Sequence, residues 1–259
     1  MSEHRDYKSY VSDPTWARTY SDYQSKYFSE PRESDKKSAR LVLSALREMQ
    51  PLHRQPRILD LGCSTGNFLR HLKKLTPGAQ LFGGDLMAPH VEQCRADLSL
   101  TGITFDVRDV LDIQCAEAFD IIVVNAVTYL LEQPLLQRAL TSIASALQPG
   151  GVYIGYELVF PGSREQQVVE TSKGHPQGLR LILRSEDNMR AALADAGFSL
   201  VDIEPFDIPI DLPKPDPNDT ANDANLVTYT VRDEVTNRRL MFRGALYQPW
   251  AHIVARLEG

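Results

Sequence analysis

Leu59-Asp60-Leu61-Gly62-Cys63-Ser64-Thr65-Gly66-Asn67 decides the fold of this chain. The residues leading into it, Arg57 to Leu61, are apolar enough for a buried strand. The turn from Gly62 to Gly66 then opens a helix that runs through Leu75, where Thr76-Pro77-Gly78 stops it. A tight turn between strand and helix exposes backbone N–H groups at a helix N-terminus, a ready site for an anionic group. Gly62 and Gly66 let the backbone approach a ligand with no side chain in the way. Asp60, at the strand end, can accept hydrogen bonds from a cationic amine.

The pattern on either side repeats the unit. Upstream, Ser34 and Asp35 can cap a helix to about Met49 with Leu43, Leu46 and Met49 on its buried side. Downstream, a second strand ends at Asp85 and Pro89 suits the first turn of the next helix. Ile103–Val107 and Phe119–Val124 read as strands, the latter apolar enough to be buried on both faces. A helix from about Pro134 to Leu147 ends at Pro149-Gly150-Gly151, and Val152–Glu157 is the fifth strand. Residues 158–184 break the rhythm. Ser185 then caps a helix ending at Ala196-Gly197, a strand follows from Phe198 to about Ile203, and a last strand spans about Ala251 to Arg256.

Strands and helices in alternation predict an α/β fold: a Rossmann-like, doubly wound, mostly parallel seven-stranded sheet with helices on both faces. Residues 34–259 are expected to form one domain. Within it an acidic, proline-rich loop (204–225) and a β-hairpin (226–244, turning at Asp233–Asn237) precede the last strand. Residues 1–33 are expected to form a helical lid, because Trp16, Tyr20, Tyr23 and Tyr27 recur at helical spacing.

Three successive strands end in carboxylates: Asp60, Asp85 and Asp109. Open α/β sheets bind ligands at that edge, and an acid about 20 residues beyond a glycine-rich turn suits a ribose. With these motifs in order, the sequence resembles the class I S-adenosylmethionine-dependent methyltransferases over roughly Leu41 to Phe206 plus the terminal strand. The resemblance implies that Asp60, Gly62, Cys63, Ser64 and Gly66 cradle the methionine part of the cofactor. It implies that Asp85 binds the ribose with Leu86 and Met87 beside the adenine, and that Asp109 and Val110 meet the adenine amine and ring. Phe119-Asp120 through Asn125-Ala126 matches the fourth strand, whose end lies beside the transferable methyl group; Leu147 to Gly151 matches the turn before the fifth. Ser64 stands where the family most often has glycine, tolerable if its φ stays negative. Asn125-Ala-Val-Thr-Tyr129 is not the Asn-Pro-Pro-Tyr type of enzymes that methylate bases in nucleic acid.

Charge narrows the acceptor. The chain has 259 residues, 28 Lys and Arg against 34 Asp and Glu, and a formal net charge of -6. Seven acids and one base, Lys214, fall between Val201 and Asp223, so the excess sits in one stretch. With no basic block, neither nucleic acid nor anionic membrane is an expected partner. A small-molecule acceptor is expected, methylated at O, N or C by in-line attack, with a modified nucleoside or tRNA-related substrate as the alternative. Trp16, Tyr20, Tyr27 and Tyr129 are candidate acceptor contacts. Glu157, closing the fifth strand, and His175, in an irregular loop, are candidate general bases. Three scattered cysteines suggest neither disulfides nor a metal site. The polar start, Met1 to Lys8, has no apolar core of a signal peptide, so a cytoplasmic monomer or homodimer is expected. Two other readings compete. Gly62-Cys63-Ser64-Thr65-Gly66 also fits the nucleophile elbow of α/β-hydrolases, with Asp207 or Asp211 and His252 completing a triad. The other is a binding protein that kept the cofactor pocket without catalysis.

Overall fold

The computed structural model describes residues 24–49, 54–116, 118–171, 178–214 and 227–259. Trp16, Tyr20, Tyr23 and His175, and acidic-loop residues 215–225, lie outside this set. In chain order the elements are α1 (Glu33–Glu48), β1 (Arg57–Leu61), α2 (Asn67–Leu75), β2 (Gln80–Asp85), α3 (Ala88–Ala96) and β3 (Thr104–Val107). Next come β4 (Phe119–Asn125), α4 (Gln133–Ala146), β5 (Leu147–Phe160), β6 (Gln166–Glu170), β7 (Leu179–Ser185) and α5 (Glu186–Asp195). The chain closes with β8 (Phe198–Pro205), β9 (Thr228–Arg232), β10 (Arg239–Arg243), β11 (Leu246–Tyr247) and β12 (Trp250–Leu257).

The expected seven strands lie side by side in the order β3-β2-β1-β4-β5-β12-β8. Pairings from β3 to β5 are parallel, and β12 runs antiparallel to both β5 and β8. The order reverses between β1 and β4, so the crevice beyond their carboxyl ends is where such a sheet binds ligands. Alternate residues feed two cores. Leu59, Leu61, Ile122, Val124 and Tyr153 pack on α4 and α5, while Ile58, Ile121, Val123 and Ile154 pack beneath α1, α2 and α3. Side chains on a strand alternate between faces, so a strand covered on both is apolar through its middle, as Ile121–Val124 of β4 is, while Asp120 at its start is paired with Arg54.

Two expectations need correction. Helix α1 buries Asp35, Ser38, Ala39, Val42 and Ala45, not a Leu43-Leu46-Met49 face. Its N-cap is Arg32, with no side-chain cap. Small residues let the helix sit close against the sheet, and Leu46 and Met49 pack at the core margin. Residues 158–184, expected to break the rhythm but given no strands, do so with the antiparallel pair β6–β7, and β7 also pairs the end of β5; this makes the sheet nine-stranded rather than seven-stranded. Leu179-Arg-Leu-Ile-Leu-Arg-Ser185 is a β-forming run, but it sits beyond the expected sheet edge and answers no repeat of the βα unit.

The expected hairpin is present as β9–β10, extended by β11 into a separate three-stranded sheet. The described start of the acidic loop is fastened to it, since Asp211 accepts from Arg239 Nε at 2.8 Å and Asp207 from the Arg239 amide at 2.9 Å. A third apolar cluster, Leu158, Phe160, Leu179, Leu181 and Leu183, joins β6–β7 to Tyr129, Leu246, Tyr247 and Trp250 beyond the carboxyl edge. No helix among the described residues is long and apolar enough to cross a membrane.

Candidate active site

The turn after β1 is stitched to the neighbouring strand through its backbone. Gly62 and Cys63 both donate to the carbonyl of Gly84, at 2.7 and 3.0 Å. Asp85 accepts from the Ser64 amide through Oδ2 and from the Met87 amide through Oδ1, each at 2.8 Å. One carboxylate thus bridges the β1 and β2 turns, with His90 Nδ1 3.7 Å away. Gly62 (φ +83°) and Gly66 (φ +72°) are left-handed as expected. Ser64 is too, with φ +48°, against the negative φ that the sequence reading required of it. Left-handed backbone costs a residue with a Cβ on the order of 1–2 kcal/mol. Ser64→Gly is therefore expected to stabilise the fold by about 1 kcal/mol, raising Tm by roughly 2–4 °C in a chain of this size. A lower Tm in a calorimetric scan would show that the serine hydroxyl contributes more than the strain removes.

Around this turn lies a cleft lined by Gln24, Arg32, Asp35, Asp60, Gly62, Cys63, Ser64, Thr65, Asn67, Phe68 and Asn125. Asp35 and Asp60 are each about 2% exposed. Burial first, then the charges of Asp35 and Asp85, hold the Asp60 carboxyl well above the usual carboxylate range; Arg32 pulls it back. Arg32 Nε reaches Asp35 Oδ2 at 3.2 Å, and Asn67 Nδ2 holds the Gln24 carbonyl at 2.8 Å, closing residue 24 over the turn. The Ser64 and Thr65 hydroxyls and Asn125 Nδ2 are buried with no hydrogen-bond partner among the described residues. Asn125 Oδ1 accepts from Ser38 Oγ at 3.1 Å. Buried polar atoms without partners cost free energy, so three around one cleft fit a polar ligand there.

Sequence reasoning missed Asp35, Arg32 and Gln24 as parts of this cleft. Asp35 looked like a helix cap, and nothing local shows that the start of α1 folds over the end of β1. Asp109 stands apart from the cleft lining and accepts from the Leu111 amide at 3.0 Å, while Val110 is buried in the core beside it. Leu86 and Met87 are half-buried on the turn after β2.

Glu157 is not where an acceptor could reach it. It is about 1% exposed, and its oxygens take the amides of Val127 (3.4 Å), Thr128 (3.0 Å) and Tyr129 (2.9 Å). It lies under the loop after β4, on the α4–α5 side of β5, where strand alternation puts odd-numbered residues. Burial pushes its carboxyl up to about 7, against the pull of those amides. Beyond the carboxyl edge of the sheet lies a group of packed rings. Tyr156 stacks on Trp250 (4.6 Å, 11°), Tyr129 meets Trp250 edge-on, and Phe206 and His252 pack against Tyr156. Of these rings only Tyr129 was expected to meet an acceptor, and His252 was named only for the hydrolase triad, because the others come from segments distant in the chain. His252 is held low, at about 4, chiefly by burial, and its Nε2 lies 3.4 Å from the Ser34 carbonyl. Among the described residues the Ser64 hydroxyl has no hydrogen-bond partner, His252 included, so the hydrolase constellation with His252 is not assembled. Of the four lid rings Trp16, Tyr20, Tyr23 and Tyr27, Tyr27 alone is described, with the Arg32 guanidinium 5.2 Å from its ring centre.

Comparison with known proteins places this geometry. A family described as "Methyltransferase domain" matches residues 58–151, from β1 into β5, which includes Asp60, Asp85 and Asp109. Malonyl-[acyl-carrier protein] O-methyltransferase of Bacillus cereus is 29% identical over 119 residues, 46% of this chain and 44% of the relative. Carboxy-S-adenosyl-L-methionine synthase of Campylobacter curvus is 30% identical over 124 residues, 47% of this chain and 52% of the relative. The matches thus span about half the length of these curated relatives. Among solved structures, the complex between the Trm112 methyltransferase activator of Haloferax volcanii and its partner superposes with a TM-score of 0.63. It covers 98% of this chain and 99% of that chain at 18% identity, a likeness of fold.

Proposed function

We propose that this chain, a member of the class I S-adenosylmethionine-dependent methyltransferase family, moves the cofactor's methyl group to O, N or C of a small, planar acceptor. The observation that carries the reading is the cleft at the end of β1, with buried Asp35 and Asp60 and with Arg32 as the one cation among the described lining residues; Asp85 stands outside that lining and bridges the turn behind it. S-adenosylmethionine bears a sulfonium, an ammonium and a carboxylate, and supplies an activated methyl group. The charges are complementary. Asp35 and Asp60 suit the ammonium, Arg32 the carboxylate, and Asp85 the ribose hydroxyls. Such a ligand would give the orphaned atoms of Ser64, Thr65 and Asn125 hydrogen-bond partners that the described residues do not provide.

With the methyl already activated, the protein's main task is alignment, and proximity contributes on the order of 7–11 kcal/mol. The acceptor would lie against Tyr129, Tyr156, Trp250 and Phe206, beside Asn125 at the end of β4. Rings offer area and a polar edge to a flat, partly apolar molecule. Held in the cleft, the cofactor would supply the methyl group, its methyl–sulfur bond breaking as the bond to the acceptor forms, with a neutral thioether as the leaving group and any acceptor proton passing to solvent. Glu157 does not serve as base in this reading, since its oxygens are taken by backbone amides. His175 keeps only the position in the chain that suggested it.

Calorimetry with S-adenosylhomocysteine tests the reading directly. Micromolar binding, with transfer of radiolabelled methyl to at least one member of a panel of phenols, amines, carboxylic acids and nucleosides, is the expected result. A folded protein that binds neither S-adenosylhomocysteine nor S-adenosylmethionine would overturn it.

A further inference from the structure

The loop after β4 joins the two halves of the site. Asn125 lines the cofactor cleft, Val127 packs against Gly62, and Tyr129 belongs to the aromatic wall. Its backbone is strained, with Ala126 at φ +57°, and such conformations persist only where the surroundings over-determine them. Here two buried ions do so. From β5, the Glu157 carboxylate accepts the successive amides of Val127, Thr128 and Tyr129. From β7, the Arg184 guanidinium, about 1% exposed, donates to the Leu131 carbonyl, to the Thr128 carbonyl at 3.5 Å and to Gln133 Oε1 at 3.1 Å. Burial lowers the proton affinity of Arg184, and the nearby Glu157 and Glu165 carboxyls oppose that lowering. The carboxyl oxygens take the loop's donors and the guanidinium its acceptors.

We propose that Glu157 and Arg184 are positioning residues: a buried carboxyl and a buried guanidinium that each grip the loop and together clamp residues 126–131, setting Asn125 and Val127 against the cofactor turn and Tyr129 against the acceptor. This rests on the methyl-transfer reading for what the loop positions, but not for the clamp itself. The hairpin β6–β7 has a reason in this light, because β7 brings Arg184 beneath the loop. Leaving a buried donor or acceptor without its partner costs about 1–3 kcal/mol, so each group holds the loop amides or carbonyls it faces.

Residue-resolved hydrogen exchange on the full chain, beside calorimetry with S-adenosylhomocysteine, tests the clamp. Glu157→Gln offers one oxygen to three amides. Protection at Val127, Thr128 or Tyr129 should fall about tenfold or more, the scale of a lost charge-assisted hydrogen bond, while β1 amides keep theirs. Affinity for S-adenosylhomocysteine should fall at least about fivefold in the same variant. Arg184→Met should reproduce both effects, and Arg184→Lys, which keeps the charge, should restore part of each. If Glu157→Gln does not fold, the Arg184 pair of variants carries the test alone. Unchanged protection of the loop amides, or lost protection with unchanged affinity, would overturn the clamp. A parent protein that binds no S-adenosylhomocysteine, with the loop protection still dependent on both ions, would instead overturn the methyl-transfer reading.

Discussion

Asp85→Ala will weaken binding of S-adenosylhomocysteine by at least about 100-fold. The carboxylate accepts the amides of Ser64 and Met87 at 2.8 Å each, so alanine leaves two turn amides without their acceptor. A hydrogen bond to a charged group contributes about 1.5–3 kcal/mol, and two of them reach the hundredfold range before any contact to the ribose is lost. Asp85→Asn keeps one acceptor oxygen and the same shape, and should fall between parent and alanine. Calorimetric titration of the three proteins at one pH decides the matter. Unaltered affinity in the alanine variant would remove the cofactor site from this edge of the sheet.

Gly62→Ala should lose binding more than tenfold, for a reason that is steric rather than electrostatic. At φ +83° the backbone disfavours any Cβ, and an added one would stand 2.5 Å from Val127 Cγ2. Left-handed strain of on the order of 1–2 kcal/mol adds to that overlap. The obstacle is a side chain of the β4 loop, so the variant should disturb the turn and the loop together. Combining Gly62→Ala with Val127→Ala removes the overlap but not the strain. A double-mutant cycle should therefore recover part of the affinity, and the two changes should be strongly non-additive. Independent, additive effects would mean that the turn and the loop are not in contact in solution.

Much of this architecture is legible in local pattern. A strand ending in acid, a glycine turn and a helix, repeated, lead to the parallel sheet from β3 to β5 and to Asp60, Gly62 and Asp85 at its edge. Each of these signals lies within about ten residues, the range over which backbone geometry and strand alternation act. Ser64 shows where local reasoning stops. The residue type allows either sign of φ, and only the closure of the turn on Gly84 and Asp85 makes it positive.

What tertiary structure alone decided is the company each residue keeps. Asp35 reads as a helix cap and becomes a buried wall of the cleft because α1 packs over the end of β1. Glu157 reads as a base because it closes a strand, yet a strand end has two faces, and the loop after β4 covers the one it occupies. Arg184 has no sequence signal at all; its meaning comes from a hairpin that sets it beneath a loop more than fifty residues earlier. The aromatic wall likewise draws on β5, the segment after β8 and β12. The sequence by itself determined the sheet and the acids along its edge, because those follow from periodicity and turn chemistry. Which acid faces a ligand and which holds a loop depends on contacts between segments far apart in the chain, and these exist only once the core has closed.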